Sequence, residues 1–271
     1  MKPLLNALCS IFFLASLHCQ ATDKTVDVGT QAGQKLAERQ QQEKLAAQQL
    51  AAKGTGLDPT EVIGRIEFNY TYLEQKTGTE RHSGILKLDT DLDSKTIAGM
   101  EVPLSSAKLP EGSDQNGIGD VGFNIRRSVY VSPSFSVMAG GGITLDTASD
   151  DELGEGSHNV SAGVFTAWRH GTWMIANIAS LKFYEDHAKD LNSFSLVPLI
   201  AYQPMAEYLS YVSLGLPFTY RYEAKDEIMN AFLSFGKVMP NKDVYSVGTK
   251  FNISGPDNDD FVLTIGYKRL F

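Results

Sequence analysis

Few residues of this chain are spaced for covalent chemistry. His82, His158, His170 and His187 are scattered, and no two have the spacing that puts paired metal ligands on one helix face. There is no Gly-x-Ser-x-Gly turn and no glycine loop suited to a phosphate. Serine adjoins histidine at His82-Ser83 and Ser157-His158, and a serine hydrolase would need such a pair at one height. Both pairs fall at expected loop edges without recognisable surroundings. The acidic runs Asp150-Asp151-Glu152 and Asp257 to Asp260 suit solvated outer loops that bind divalent cations weakly at most. These residues describe a protein that is not an enzyme and has no metal site and no cofactor.

The chemistry that the remaining charges support is electrostatic. Arg65, Glu67, Glu101, Asp120, Arg126, Asp146, Arg169 and Lys250 fall on or beside strands, in the polar phase wherever the alternation is clear. If those segments close into a barrel, the eight residues are expected to line its lumen. Ionised groups of both signs pair across such an interior and set what passes through it.

The elements that must position them have a period of two. Val62, Ile66, Phe68, Tyr70 and Tyr72 alternate with Arg65, Glu67, Asn69 and Thr71. Val121, Phe123, Ile125, Val129 and Val131 alternate with Asp120, Gly122, Asn124, Arg126 and Ser128, and Phe135, Val137, Ala139, Gly141, Ile143 and Leu145 with Ser136, Gly140, Gly142, Thr144 and Asp146. Further on, Ser210, Val212, Leu214, Leu216, Phe218 and Tyr220 form an outward set, as do Tyr245, Val247, Thr249, Phe251 and Ile253. Alternation of this kind puts apolar side chains on one strand face and polar or tiny ones on the other. Soluble strands usually run to about 5–6 residues, whereas tilted spanning strands need about 9–11, and the segments here have the longer length.

Twelve antiparallel strands are expected, near 62–73, 82–90, 96–106, 119–131, 135–146, 158–169, 172–184, 191–202, 208–221, 227–238, 243–253 and 260–271. Their connections alternate in kind. Asp91–Lys95, Ser132–Ser134, His170–Gly171, Pro204–Glu207 and Pro240–Lys242 are tight, while Glu74–Arg81, Ala107–Ile118, Thr147–Ser157 and Glu185–Asp190 are longer and polar. Short periplasmic turns opposite longer outer loops are the habit of outer-membrane barrels. The fold class is therefore all-β, a transmembrane antiparallel barrel. Tyr70, Tyr72, Trp168, Trp173, Tyr184, Tyr202, Tyr208 and Tyr220 lie near strand ends, where aromatic girdles belong. Phe261, Leu263, Ile265, Tyr267 and Phe271 share one face of the last strand, and Tyr267 with the terminal Phe271 resembles the signal read by the outer-membrane assembly machinery. Arg269 breaks the alternation, as a basic side chain reaching for headgroups can.

The N-terminal part has a different texture. Lys2 followed by the apolar run Leu4 to Leu17 reads as a secretory signal cut after Ala21, and His18 disfavours a lipoprotein cut before Cys19. Removing residues 1–21 takes away both cysteines and one positive charge, which leaves a net charge one unit more negative than the -8 of the full chain. Disulfides are then excluded, and so is a nucleic-acid partner, which would want a basic face. Residues 22–58 form a leader whose stretch Gln31 to Lys53 is rich in Gln, Ala, Lys and Glu. It suits either a periplasmic helix, about 35 Å long at 1.5 Å per residue, or a disordered tether. Residues 59–271 are left for the barrel.

Gly117-Ile118-Gly119-Asp120-Val121-Gly122-Phe123, the glycine-rich strand Ala139-Gly140-Gly141-Gly142, and Leu145-Asp146-Thr147 with Leu153-Gly154-Glu155-Gly156-Ser157 resemble a known barrel family. It is the family of outer-membrane transporters grouped as MetA-pathway of phenol degradation, distantly similar to fatty-acid and toluene uptake channels. Where many members carry Pro-Thr-Gly-Asp, this chain reads Asp146-Thr147-Ala148-Ser149. The resemblance implies an outer-membrane channel for small solutes, apolar or aromatic. The order leader, linker and twelve strands is also similar to functional-amyloid secretion channels, which implies the alternative of a polypeptide channel gated by the N-terminal helix. Expected partners are outer-membrane lipid and lipopolysaccharide, the assembly machinery, and a small-molecule or polypeptide permeant. A homo-oligomer is compatible with the pattern.

Overall fold

The structure is a computed structural model that describes residues 56–75, 80–108, 114–150, 153–185, 192–204, 208–255 and 259–271. The expected signal peptide and the helix-prone stretch 31–53 lie outside the described residues. The described residues belong to one compact unit.

Its strands are β1 (Arg65–Gln75), β2 (Glu80–Asp93), β3 (Thr96–Lys108), β4 (Asp114–Ile118), β5 (Val121–Val131), β6 (Phe135–Leu145), β7 (Asn159–His170), β8 (Trp173–Tyr184), β9 (Ser193–Tyr202), β10 (Tyr211–Gly215), β11 (Phe218–Arg221), β12 (Asp226–Val238), β13 (Asp243–Ser254) and β14 (Asp259–Leu270). Two pairs of these are halves of one spanning strand. Both β4 and β5 pair with β3, and the ladder continues between them where Gly119 N–H donates to Pro103 O at 2.9 Å. Both β10 and β11 pair with β9 and β12, and they are separated by Leu216-Pro217. Proline has no N–H to give a ladder, so the strand breaks there and resumes in the same phase. The result is a closed antiparallel barrel of twelve spanning strands, with β1 sealed to β14 from Arg65↔Leu270 onward.

The strands depart from the sequence reading at several points, among them β2, which runs over Glu80–Asp93 and not 82–90. The first strand starts at Arg65, not near residue 62, because Val62 and Ile63 precede the ladder. The fourth begins at Asp114, so the long loop expected over Ala107–Ile118 is largely hairpin. Ser210 was placed in an outward set, but it precedes β10 and is 1% exposed, its hydroxyl oxygen accepting from Val238 N–H at 3.0 Å.

Strand parity sorts the side chains as the alternation requires. Ile66, Phe68, Phe123, Ile125, Ile143, Val164, Val247, Phe251 and Ile265 are exposed on the outer face. A soluble monomer rarely shows so continuous an apolar surface, whereas a barrel facing lipid needs one. Trp168, Trp173, Tyr202, Tyr245 and Tyr267 gather on this face near the tight turns, hereafter the turn end, where β1 begins and β14 ends. Inside, the wall is paved with small residues where long ones must lie flat. A Cβ at Gly140 would come within 2.6 Å of Arg126 Cγ, and one at Gly99 within 2.2 Å of Asp89 Oδ1.

Candidate functional site in the barrel lumen

The first wall of the lumen is charged. Arg65 and Glu67 on β1, Lys87 and Asp89 on β2, Glu101 on β3, Arg126 on β5 and Lys268 on β14 all belong to the inward phase. Asp89 Oδ2 receives both Arg65 Nη2 and Arg126 Nη2 at 2.8 Å. Glu67 lies 3.3 Å from Lys268 Nζ and 3.7 Å from Arg65 Nε, and its Oε1 accepts from Asn69 Nδ2 at 2.7 Å. Lys87 Nζ and Glu101 Oε2 meet at 2.7 Å. Charges withdrawn from water persist best when paired and hydrogen-bonded, and this network gives each of its charges at least one partner of opposite sign.

The facing wall is apolar. Phe165, Ile178 and Val197 are register neighbours on the inward phase of β7, β8 and β9, and Leu199 leads across Gly215 to Phe232 on β12. Arg126 reaches from the charged wall toward this row, its guanidinium carbon 5.9 Å from the centre of the Phe165 ring.

At the loop end, opposite the turns, the connection between β6 and β7 folds into the lumen. Asp120, in the break between β4 and β5, is the anchor. Its Oδ1 accepts from Thr147 N–H at 3.0 Å and Ala148 N–H at 3.1 Å, and its Oδ2 accepts from Glu155 N–H. Leu153 is thereby turned inward and buried, and Glu155 pairs with Lys182 Nζ at 2.7 Å and Asn159 Nδ2 at 2.9 Å. Beneath this loop is a cavity of about 410 Å³, lined among others by Ile85, Glu101, Pro103, Asn124, Leu153 and Ser161. The volume is in the range of small-molecule sites.

The turn end is filled by the chain itself. Residues 56–64 run from β1 to strands across the ring. Leu57 packs against the cluster Ala167, Met174, Ala176 and Ala201 and also against Tyr211, Val244 and Leu270. Asp58, 4% exposed, forms an ion pair with Arg169 on β7, whose guanidinium also donates to Thr60 Oγ1 at 3.0 Å and Ser136 Oγ at 2.7 Å. Lys268 Nζ donates to Gly56 O at 3.1 Å.

Of the eight lumen candidates, the structure brings Arg65, Glu67 and Arg126 into one network, with Glu101 one register step away. Asp120 holds the inward loop and Arg169 holds the strap of residues 56–64. Lys250 lies on the inward phase of β13, and Asp146 is exposed just past the end of β6, where its N–H donates to His158 Nδ1 at 2.8 Å. Asp89 and Lys268, which complete the network, are absent from the sequence-based set although their strand parity would have placed them there. Asp58 had no such signal, because it lies in an irregular segment. Tyr267 and Phe271 face outward. Tyr267 donates to Asp243 Oδ1 at 3.1 Å, Arg269 lies 3.6 Å from the same oxygen, and Phe271 N–H donates to Gly64 O at 3.0 Å. The two Ser-His neighbours do not form nucleophile and base. His82 Nδ1 meets Tyr70 OH at 2.6 Å while Ser83 points to the other strand face, toward Ser105, and Ser157 donates to His158 O.

No family model matches this chain, and no curated protein does. Among solved structures it is similar to an outer membrane channel from Pseudomonas putida F1, at 16% identity and TM-score 0.66 over 79% of this chain and 97% of that one. The NanC porin follows at 11% identity and TM-score 0.57, over 74% of this chain and 98% of that one. The KdgM porin is similar at 12% identity and TM-score 0.51, over 76% of this chain and 99% of that one. At these identities the likeness shows the fold, a closed antiparallel barrel of the kind that outer-membrane channels and porins have.

Proposed function

We propose that this protein is an outer-membrane channel for small solutes with an apolar or aromatic body, its turn end facing the periplasm. The observation that carries the reading is the two-sided lumen. The row Phe165, Ile178 and Val197 offers an apolar body a surface, while the opposite network around Asp89 offers polar groups a partner. The apolar outer face and the asymmetry of turns and loops support the membrane placement. The sequence resemblance of residues 117–157 to the phenol-degradation transporters supports the solute class. A second reading, a polypeptide channel gated from the N-terminus, is favoured by one observation, the stretch of chain 56–64 packed inside the turn end of the barrel.

Single-channel conductance in planar bilayers tests both readings, comparing the mature chain with versions lacking residues 22–56 and 22–64. Small openings in the first two proteins and a several-fold larger conductance only in the third make the strap the occluding element of a solute channel. A sharp rise already on removing 22–56 favours the polypeptide reading. A barrel that conducts in none of the three forms is not an open pore, and the proposal falls.

A further inference from the structure

We infer that Arg65, Arg126 and Lys268 form an anion-binding site in the lumen wall, one that takes the carboxylate of a small organic acid whose body lies against Phe165. This deepens the channel reading and rests on it.

The charge count within the network does not balance. Three cations, Arg65, Arg126 and Lys268, share two carboxylates, Asp89 and Glu67, and the neighbouring Lys87 and Glu101 satisfy each other. One positive charge is left over in a chain whose net charge is -8, so the excess is local to this wall. The hydrogen bonding does not balance either. The Nε groups of both Arg65 and Arg126 are buried without a hydrogen-bond acceptor, although each arginine gives its Nη2 to Asp89. An N–H of a guanidinium withheld from water and left without an acceptor is costly, and an anion supplies both the acceptor and the missing charge.

The surroundings fit such a ligand. Gly140 and Gly99 leave the wall flat where Arg126 and Asp89 lie, and any side chain there would displace them. The Phe165 ring stands 5.9 Å from the Arg126 guanidinium carbon, which sets an aromatic face beside the charge. A carboxylate on a ring or short alkyl body matches both, and a free inorganic anion matches the charge alone.

The test is the reversal potential of the full mature chain in a potassium chloride gradient, followed by titration with benzoate. The expected result is chloride selectivity, with benzoate reducing the chloride current at millimolar concentration. R126Q should shift the reversal potential toward potassium and raise the half-blocking benzoate concentration by about tenfold, as loss of a charge-assisted pair does. R126K keeps the charge and loses the Nε–H, so it should keep the chloride preference and lose most of the block. It also serves if R126Q fails to show the gel mobility of a folded barrel. Chloride preference without benzoate block means that only free inorganic anions are taken, and overturns the carboxylate site. A conducting channel that is unselective or prefers potassium overturns the inference and leaves the channel reading standing, whereas absence of current sinks both.

Discussion

Arg169 and Asp58 are paired although they come from opposite sides of the barrel, and the pair is nearly sealed from water, with the two side chains 9% and 2% exposed. Replacing one member of such a pair leaves the other buried and uncompensated, which costs about 3–5 kcal/mol. In R169Q the cheapest escape is for Asp58 to reach solvent, which peels residues 56–64 from the turn end while the barrel ladder stays intact. The expected outcome is a higher single-channel conductance with unchanged gel mobility of the folded barrel. D58N leaves the arginine two neutral acceptors, Thr60 and Ser136, and should open the lumen less. Equal conductance in R169Q and the parent would mean that apolar packing of Leu57, and not the ion pair, holds the strap. This contact was invisible in the sequence for a physical reason. Leu57 and Asp58 lie in a segment with no period, and a leader read from composition alone gives no sign that its last residues fold inward.

At the scale of the element, much of the architecture was legible because strand parity is strict. The outward set of β1, β5, β6 and β13 could be read from residue types, and the twelve spanning strands follow from it. What parity does not encode is where a strand breaks and what the break holds. Gly119-Asp120 reads as the start of a strand, but its carboxylate points at three backbone N–H groups of the connection between β6 and β7. Those partners lie 27 to 35 residues away in sequence, and only the closed ladder brings them together. Residues 117–123 and 153–157 are therefore tied into one structure. An asparagine at 120 has one acceptor oxygen and would turn an NH₂ group toward an N–H donor. D120N should release the loop, with a loss of about 2–4 kcal/mol from two or three charge-assisted hydrogen bonds. Protease cleavage between residues 146 and 158 in the intact folded barrel would report it. A loop as resistant as the parent's would show that Leu153 burial and the Glu155–Lys182 pair suffice.

For the whole molecule, the division between an apolar exterior and a polar, charged lumen is a claim about which solvent lies on each side. The same composition in a water-soluble barrel would put the apolar face inside. Here Ile265 is 52% exposed on β14, midway along the strand and flanked in register by Tyr70 and Val247, while its neighbour Thr264 faces the lumen and meets Thr71 Oγ1 at 3.3 Å. If lipid surrounds the barrel, I265R puts a charge against hydrocarbon and costs about 2–4 kcal/mol near the midplane. T264R places the same charge one residue along, in the wetter interior, where the acidic side chains of the network are within a strand or two. Refolding both variants into phosphatidylcholine vesicles and measuring the denaturant midpoint separates the cases. I265R should fall well below the parent, and T264R should lose less. In water-soluble detergent-free form the order would reverse, because an arginine on a wet outer face costs little and one in a packed interior costs much. The sign of that difference decides whether the polar side of these strands is a lumen or a surface.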